Sequence, residues 1–382
     1  MLSFRFRAAK AIIGFDTVSV LGSELKKLGA ERVMVVTGKN VGKSDVCRKA
    51  IKSIEAEGVE FVLWDGVKPE PDVYVIEEGV CAAKEIKPDV FIAVGGGSSI
   101  DAAKLINLCT NGQADIYDYI PEPIGKGKQV EKLKPLIAIP TTFGTGSETT
   151  CAAVVKLPEL NMKVGIIQES MLPSLAIIDG SIEAPKSVAA SAGMDALMHA
   201  IEAYTCRPYG EVETYFYSGS TPLSDATAEK AIELIGENFI ASMNGNATAR
   251  LNMAIASYMA GMAFGNAGVH IPHAASHAIG GLKHAPHGVC VASTARAVLE
   301  FIESAVPEKV RRIAELLKAD SAAEGISRLM EEAGIPSLPE LGISRDDIPE
   351  LVDKTLKLKR LLVLCPKPVG ETELRKIFEK SL

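Results

Sequence analysis

The sequence predicts a two-part chain, an α/β half built on a parallel sheet over residues 1–180 and an all-helical half over residues 181–382. Three observations lead there. The 382 residues exceed one ordinary core, at about 150 residues per domain. Short β-branched runs alternate with amphipathic helical stretches in the first half. Beyond residue 185 or so those runs vanish and helical periodicity takes over.

In chain order, strands are expected over 32–36, 59–63, 90–94, 136–139 and 175–178. Between them, 44–56 (SDVCRKAIKSIEA) and 73–85 (VYVIEEGVCAAKE) space their apolar residues by three and four, as crossover helices of βαβ units do. The second half predicts helices over 187–205, 224–243, 248–264, 288–303, 307–318 and 321–333. The segment 208–225 (PYGEVETYFYSGSTPLSD) has no period and reads as a surface loop, with Ser224 or Asp225 capping the helix after it.

Composition narrows the class of activity. A net charge of −7 argues against nucleic acid as a partner, because that affinity comes from clustered Lys and Arg. The seven cysteines are scattered and form no CxxC pair, the pattern of reduced thiols in a cytoplasmic protein. Arginines interrupt the apolar residues of MLSFRFRAAKAIIGF, so no signal peptide is expected, and no apolar run reaches the length of a membrane span. Small-molecule chemistry is left, in a protein whose expected assembly is a homodimer or higher homo-oligomer.

Two glycine-rich loops follow expected strands. In FIAVGGGSSIDAAKLINL (91–108) a strand runs through three glycines and two serines into a helix, whose first backbone amides suit an anionic phosphate. The loop departs from GxGxxG, and an ordinary tight turn would use the same glycines. IPTTFGTGSETT (139–150) is a second loop at a strand end, where Thr141, Thr142, Thr145 and Ser147 offer hydroxyls to phosphate or ribose, or to the loop's own backbone. The pairing predicts a Rossmann-like dinucleotide-binding domain. Gly38 to Ser44 (GKNVGKS) only imitates a P-loop, with three residues between its glycines where four are needed. Gly38 ends a strand where NAD-selective sites put a carboxylate, leaving room for a 2′-phosphate that Lys39 or Lys43 would pair with, so the cofactor is NAD or NADP.

All six histidines lie between His199 and His287. Asp195 and His199 sit four residues apart in SAGMDALMHAIEAY, on one helix face, and His273 and His277 repeat that spacing. His270, His284 and His287 complete the cluster. Three imidazoles and a carboxylate suit a divalent transition metal, and without thiolates the set does not distinguish iron, zinc, manganese or nickel. The helical half is therefore expected to be a metal-binding domain.

GGGSSID, PTTFGTGSE, LAIIDG, GMDALMHAIEAY and HAASHAIGG followed by PHG together resemble the iron-containing (group III) alcohol dehydrogenase family over nearly the whole length. The resemblance implies a dehydroquinate synthase-like architecture, with Asp195, His199, His273 and His287 as ligands to Fe(2+), Zn(2+) or another divalent ion. It implies NAD(P) binding at Gly96, Gly97, Ser98, Asp101, Thr141, Thr142 and Thr145, with Lys163 near the cofactor ribose. His277 is implied to be free of metal and close to substrate or nicotinamide; with His270 it is the candidate for relaying the hydroxyl proton. NAD-preferring members usually carry Asp where this chain has Gly38, and the usual Asn of DGVxPNP is Glu70 here.

NAGVH and the tail LCPKPVGETELRKIFEKSL are similar to the hydroxyacid-oxoacid transhydrogenase branch, which commonly has Tyr at His277 and a longer segment before PHG. The implied activity is an NAD(P)-linked alcohol dehydrogenase or aldehyde reductase acting on a small alcohol, aldehyde or hydroxyacid. A transhydrogenase, a non-redox metal-dependent lyase on the same fold and a non-catalytic binding protein are the alternatives.

Overall fold

The computed structural model describes residues 3–160, 162–212, 214 and 216–382. Its strands, in chain order, are β1 (Ala11–Gly14), β2 (Arg32–Gly38), β3 (Glu60–Val67), β4 (Val90–Gly95), β5 (Leu136–Pro140), β6 (Ala152–Leu157), β7 (Met162–Ile167) and β8 (Leu175–Asp179). Six of them pair in parallel in the order β1-β8-β5-β4-β2-β3, and β6 with β7 makes an antiparallel hairpin. Val33, Val35, Ile92, Val94, Ile137 and Ile139 pack on one face of the sheet, and their neighbours Met34, Val36, Phe91, Ala93, Leu136 and Ala138 on the other. With both faces covered, these strands read as unbroken apolar runs.

The five expected strands are all present, each within a few residues of its expected bounds. Sequence reading missed β1, a short edge strand, and the β6–β7 hairpin, whose buried Ala153, Val155 and Leu157 alternate with more accessible neighbours. The helix expected over 288–303 is two helices, His287–Ala292 and Ala295–Ile302. Ser293 Oγ turns back to the carbonyl of Cys290 at the break, a local bond of the kind that competes with helix continuation.

The cap expected at Ser224 or Asp225 is instead Thr221. Its hydroxyl accepts the Ser224 N–H at 3.1 Å while Ser224 Oγ accepts the Thr221 N–H at 2.8 Å, a reciprocal capping box with Pro222 at the first helical position. Asp225 accepts from Ser220 Oγ and from the Lys309 ammonium. Within the expected loop, Glu213 and Tyr215 lie outside the described residues.

Two compact units result. One comprises Ala8–Thr142 and Ser147–Glu183; the other comprises the N-terminal residues through Arg7, Phe143–Gly146 and Ala184–Leu382. The second is helical, and its Lys186–Thr205 and Pro222–Met243 helices cross so closely at Gly193 that a Cβ there would lie 2.1 Å from the Phe239 ring. No described helix is long and apolar enough to cross a membrane.

Candidate functional site

In the α/β unit the chain leaves β2 toward β3 on one side and leaves β4 toward β5 on the other, so the topological switch lies between β2 and β4. Ligand crevices of open α/β sheets lie at the strands' carboxyl ends beside such a point. Gly38 ends β2, and Gly95 ends β4 opposite Pro140 of β5. The Thr141 N–H donates to the Gly95 carbonyl at 3.0 Å, so the two glycine-rich loops start side by side. Gly95 has φ +154°, and a Cβ on Gly96 would lie 2.9 Å from Thr142 Oγ1. The helix Gly97–Gly112 starts there without a capping side chain, presenting its N-terminal amides and positive dipole end.

Two other expected cofactor residues, Ser98 and Lys163, are linked at that helix start through Glu70. Ser98 Oγ accepts the Glu70 N–H at 3.2 Å, and the Glu70 carboxylate pairs with Lys163. Gly38 packs so that a Cβ would lie 2.9 Å from the Val67 carbonyl oxygen. Asp101 is different. Its carboxylate accepts from Ser147 Oγ and from the Val154 N–H at 3.0 Å, so both oxygens are engaged by the protein's own 147–154 segment.

Lys104, one turn further and fully buried, donates to the carbonyls of Ser147 (2.6 Å) and Ala152 (2.8 Å) and to Thr150 Oγ1 (3.1 Å). Burial pushes the Asp101 carboxyl up and the Lys104 ammonium down from their ordinary values. Glu148 in the same segment is buried, its Oε2 has no partner, and burial pushes its carboxyl up to about 7. Thr145 belongs to the 143–146 segment of the helical unit.

In the helical unit, Lys186–Thr205 carries Asp195, His199 and Glu202 at i, i+4 and i+7, on one face. His273 is on the first turn of Ile271–Lys283, and His287 opens the short helix His287–Ala292 behind Pro286. Gly288 permits that helix to reach the first: a Cβ on it would fall 1.9 Å from the Ser191 carbonyl oxygen. Asp195, His273 and His287 thereby bring one ligand atom each within 4.8 Å of the others. His273 Nε2 is 3.6 Å and His287 Nε2 3.7 Å from Asp195 Oδ1.

The fourth expected ligand, His199, stacks on the His273 ring with centroids 4.4 Å apart, and its Nδ1 is 4.0 Å from Asp195 Oδ1. Nδ1 meets the Gly144 carbonyl at 3.1 Å. Donation to that oxygen puts the proton on Nδ1 and the lone pair on Nε2. Gly144 is required for the approach, since a Cβ would lie 2.3 Å from the Ala192 carbonyl oxygen. A glycine of the second glycine-rich loop thus supports a histidine.

Asp195 Oδ1 and His273 Nε2 are buried without a hydrogen-bond partner, and at 3.6 Å they are too far apart to satisfy each other. A carboxylate oxygen and imidazole nitrogens converging where Asp195 and His273 are buried and His287 is exposed fit a divalent cation, whose charge would offset the cost of leaving the buried atoms unpaired. Burial opposes the charged Asp195 carboxyl, but the imidazoles of His199, His287 and His273 outweigh it and hold the group well below the carboxylate range. Burial pushes His199 down to about 4. His273 goes the other way: against burial, the carboxylates of Glu202 and Asp195 raise it to about 10.

Glu202 was not among the expected site residues, yet it is fully buried beside this cluster. Its Oε1 accepts from His273 Nδ1 at 2.5 Å, and its Oε2 accepts the His270 N–H at 2.6 Å. The signal was present in the sequence, since residue 202 continues the Asp195/His199 face. His277 is half-buried with its ring centroid 6.2 Å from that of His287. His270 is buried, its Nε2 at 2.9 Å from Thr205 Oγ1 and its Nδ1 at 3.9 Å from Glu202 Oε2, so its ring is engaged away from the three-ligand group. His284 is the exposed left-handed C-cap of its helix.

Comparison with known proteins matches residues 8–180 to the iron-containing alcohol dehydrogenase model and residues 189–382 to the C-terminal model of the Fe-containing alcohol dehydrogenase family. The mitochondrial hydroxyacid-oxoacid transhydrogenase of Bos taurus is 35% identical, covering 100% of this chain and 90% of its own length. Its namesake from Caenorhabditis briggsae is 35% identical over 95% of this chain and 86% of its own length. Among solved structures, a 1,3-propanediol oxidoreductase superposes with a TM-score of 0.92 at 31% identity, covering 100% of both chains. An alcohol dehydrogenase from Oenococcus oeni gives 0.91 at 28% identity, again over 100% of both. With both halves of the chain matched in order, the protein belongs to the iron-containing alcohol dehydrogenase family.

Proposed function

We propose that the protein is a metal-dependent, NAD(P)-linked oxidoreductase that transfers a hydride between a small primary alcohol or hydroxyacid and nicotinamide. The observation that carries this reading is the convergence of Asp195, His273 and His287 with two buried atoms left unpaired, in a chain of this family. When bound, a divalent ion held by Asp195, His199, His273 and His287 supplies Lewis acidity toward the substrate oxygen, and a bound nicotinamide supplies the hydride acceptor or donor.

The chain's own residues do the rest. The Gly97 helix start, with Ser98, Thr141 and Thr142 around it, binds the cofactor's phosphates and ribose. Gly38 and the exposed Lys39 and Lys43 leave a 2′-phosphate unopposed by a carboxylate at the end of β2, so NADP is accepted as well as NAD. His277 takes the hydroxyl proton on a ring nitrogen and passes it to solvent, a task imidazole performs near neutral pH.

Metal-loaded protein mixed with NAD or NADP and a panel of small alcohols, aldehydes and hydroxyacids should change the absorbance of reduced nicotinamide. No change with any of them removes the proposal. His277→Ala should lower turnover by about 100-fold with metal content intact, whereas His199→Ala should lose metal. Loss of metal from His277→Ala would reverse this division of roles.

A second reading has its own support: transhydrogenases align with this chain over its full length. In that case hydride passes from a hydroxyacid to an oxoacid through cofactor that stays bound. Exchange between the two acids without added NAD(P) distinguishes it from the dehydrogenase.

A further inference from the structure

The metal-site reading leaves one buried charge without a task. Glu202 is fully buried, lies on the same helix face as Asp195 and His199, and faces two histidine residues at once. Its Oε1 accepts from His273 Nδ1 at 2.5 Å. Its Oε2 accepts the backbone N–H of His270 at 2.6 Å and that of His273 at 3.4 Å. His270 is the N-cap of Ile271–Lys283, and its own side chain makes no cap bond. The Glu202 carboxylate fills that place from another helix, at the end of the dipole that favours an anion.

We propose that Glu202 is the positioning residue that makes His273 a metal ligand, one carboxylate oxygen fixing the imidazole tautomer and the other fixing the helix end that carries it. With a proton held on Nδ1 by Glu202, Nε2, 3.6 Å from Asp195 Oδ1, is the nitrogen left to ligate a cation. A carboxylate behind a ligating imidazole orients the ring and makes the ligating nitrogen more basic. Charge fits as well: Asp195 and Glu202 are two buried carboxylates, and a divalent cation balances both. The proposal rests on the metal reading of Asp195, His273 and His287, and its test separates the two.

The probe is Zn(II), bound to the full-length protein in competition with a chromophoric chelator and observed by NMR of 15N-labelled histidine rings. Wild-type protein should bind Zn(II) with His273 protonated at Nδ1 and ligated through Nε2, its signal assigned by its loss in His273→Asn. Glu202→Gln keeps the size and loses the charge, and should bind Zn(II) about 10- to 100-fold more weakly. Affinity within twofold of wild type in Glu202→Gln, or His273 ligating through Nδ1, overturns the assignment. Should Glu202→Gln fail to fold, the wild-type tautomer decides alone. Wild-type protein that takes up no Zn(II) overturns the metal site itself, a result distinct from Zn(II) held with unchanged affinity in the variant.

Discussion

Glu148 shows how a single buried side chain makes stability depend on pH. Its carboxyl is pushed up by burial to about 7 from a usual 4.5, with Lys104 only partly opposing the shift. A raised carboxyl retains in the folded state a proton that the unfolded chain releases at lower pH. Its favourable contribution is therefore full below pH 4.5, falls as the pH climbs to about 7, and is gone above that. At about 1.4 kcal/mol per pH unit the swing is on the order of 3 to 4 kcal/mol.

Glu148→Gln has no charge to bury. Relative to wild type, its stability should rise between about pH 4.5 and pH 8 by up to roughly 3 to 4 kcal/mol. Urea denaturation midpoints of both proteins at the two pH values check this. Parallel pH profiles would show that the carboxyl finds a partner when it ionises. The gathering of Asp195, His273 and His287 was legible because the chain's few imidazoles all crowd between residues 199 and 287. Glu202 was missed although it continues the Asp195/His199 face, because a glutamate in a helix ordinarily faces solvent.

At the scale of elements, legibility follows burial symmetry. Strands β2, β4 and β5 are apolar on both faces and stood out, whereas β6 and β7 pair only with each other and show a weaker alternation split by Pro158 and Glu159. The expected single helix over 288–303 failed for a related reason: periodicity continues across Ser293 and Thr294, while the backbone does not. Sequence named candidate metal ligands but not what brings their helices together, which is the absence of side chains at particular glycines.

Gly288 and Gly281 test this in opposite directions. Gly288→Ala puts a methyl where the Ser191 carbonyl stands, 1.9 Å away, and should push His287 off Asp195. The expected result is metal affinity at least about tenfold weaker, with a stability loss of roughly 1–3 kcal/mol. Gly281 lies in Ile271–Lys283 with nothing within 4 Å of a Cβ. Gly281→Ala should stabilise by about 0.5–1 kcal/mol through helix propensity and leave metal affinity alone. Competition titration and melting of the two variants decide; a Gly288→Ala protein with wild-type metal affinity would mean that the His287 helix moves freely.

For the molecule as a whole, the proposed function assigns a different ligand chemistry to the histidine-free α/β unit and to the helical unit holding every histidine. A ligand that binds only the native form stabilises it by about 2.7 kcal/mol at a hundredfold excess over its dissociation constant, and local protection should appear where its contacts are. Zn(II) should slow amide exchange in Lys186–Thr205, Ile271–Lys283 and His287–Ala292, the helices that supply its ligands. NADP should slow exchange at the start of Gly97–Gly112 and at Thr141 and Thr142. Chelator should reverse the first pattern and leave the second in place. Hydrogen-exchange mass spectrometry of the full chain, with each ligand alone and with both, gives the answer. Zn(II) protection centred on the glycine-rich loops, or NADP protection centred on Lys186–Thr205, would mean that the chemistry has been divided wrongly between the two units.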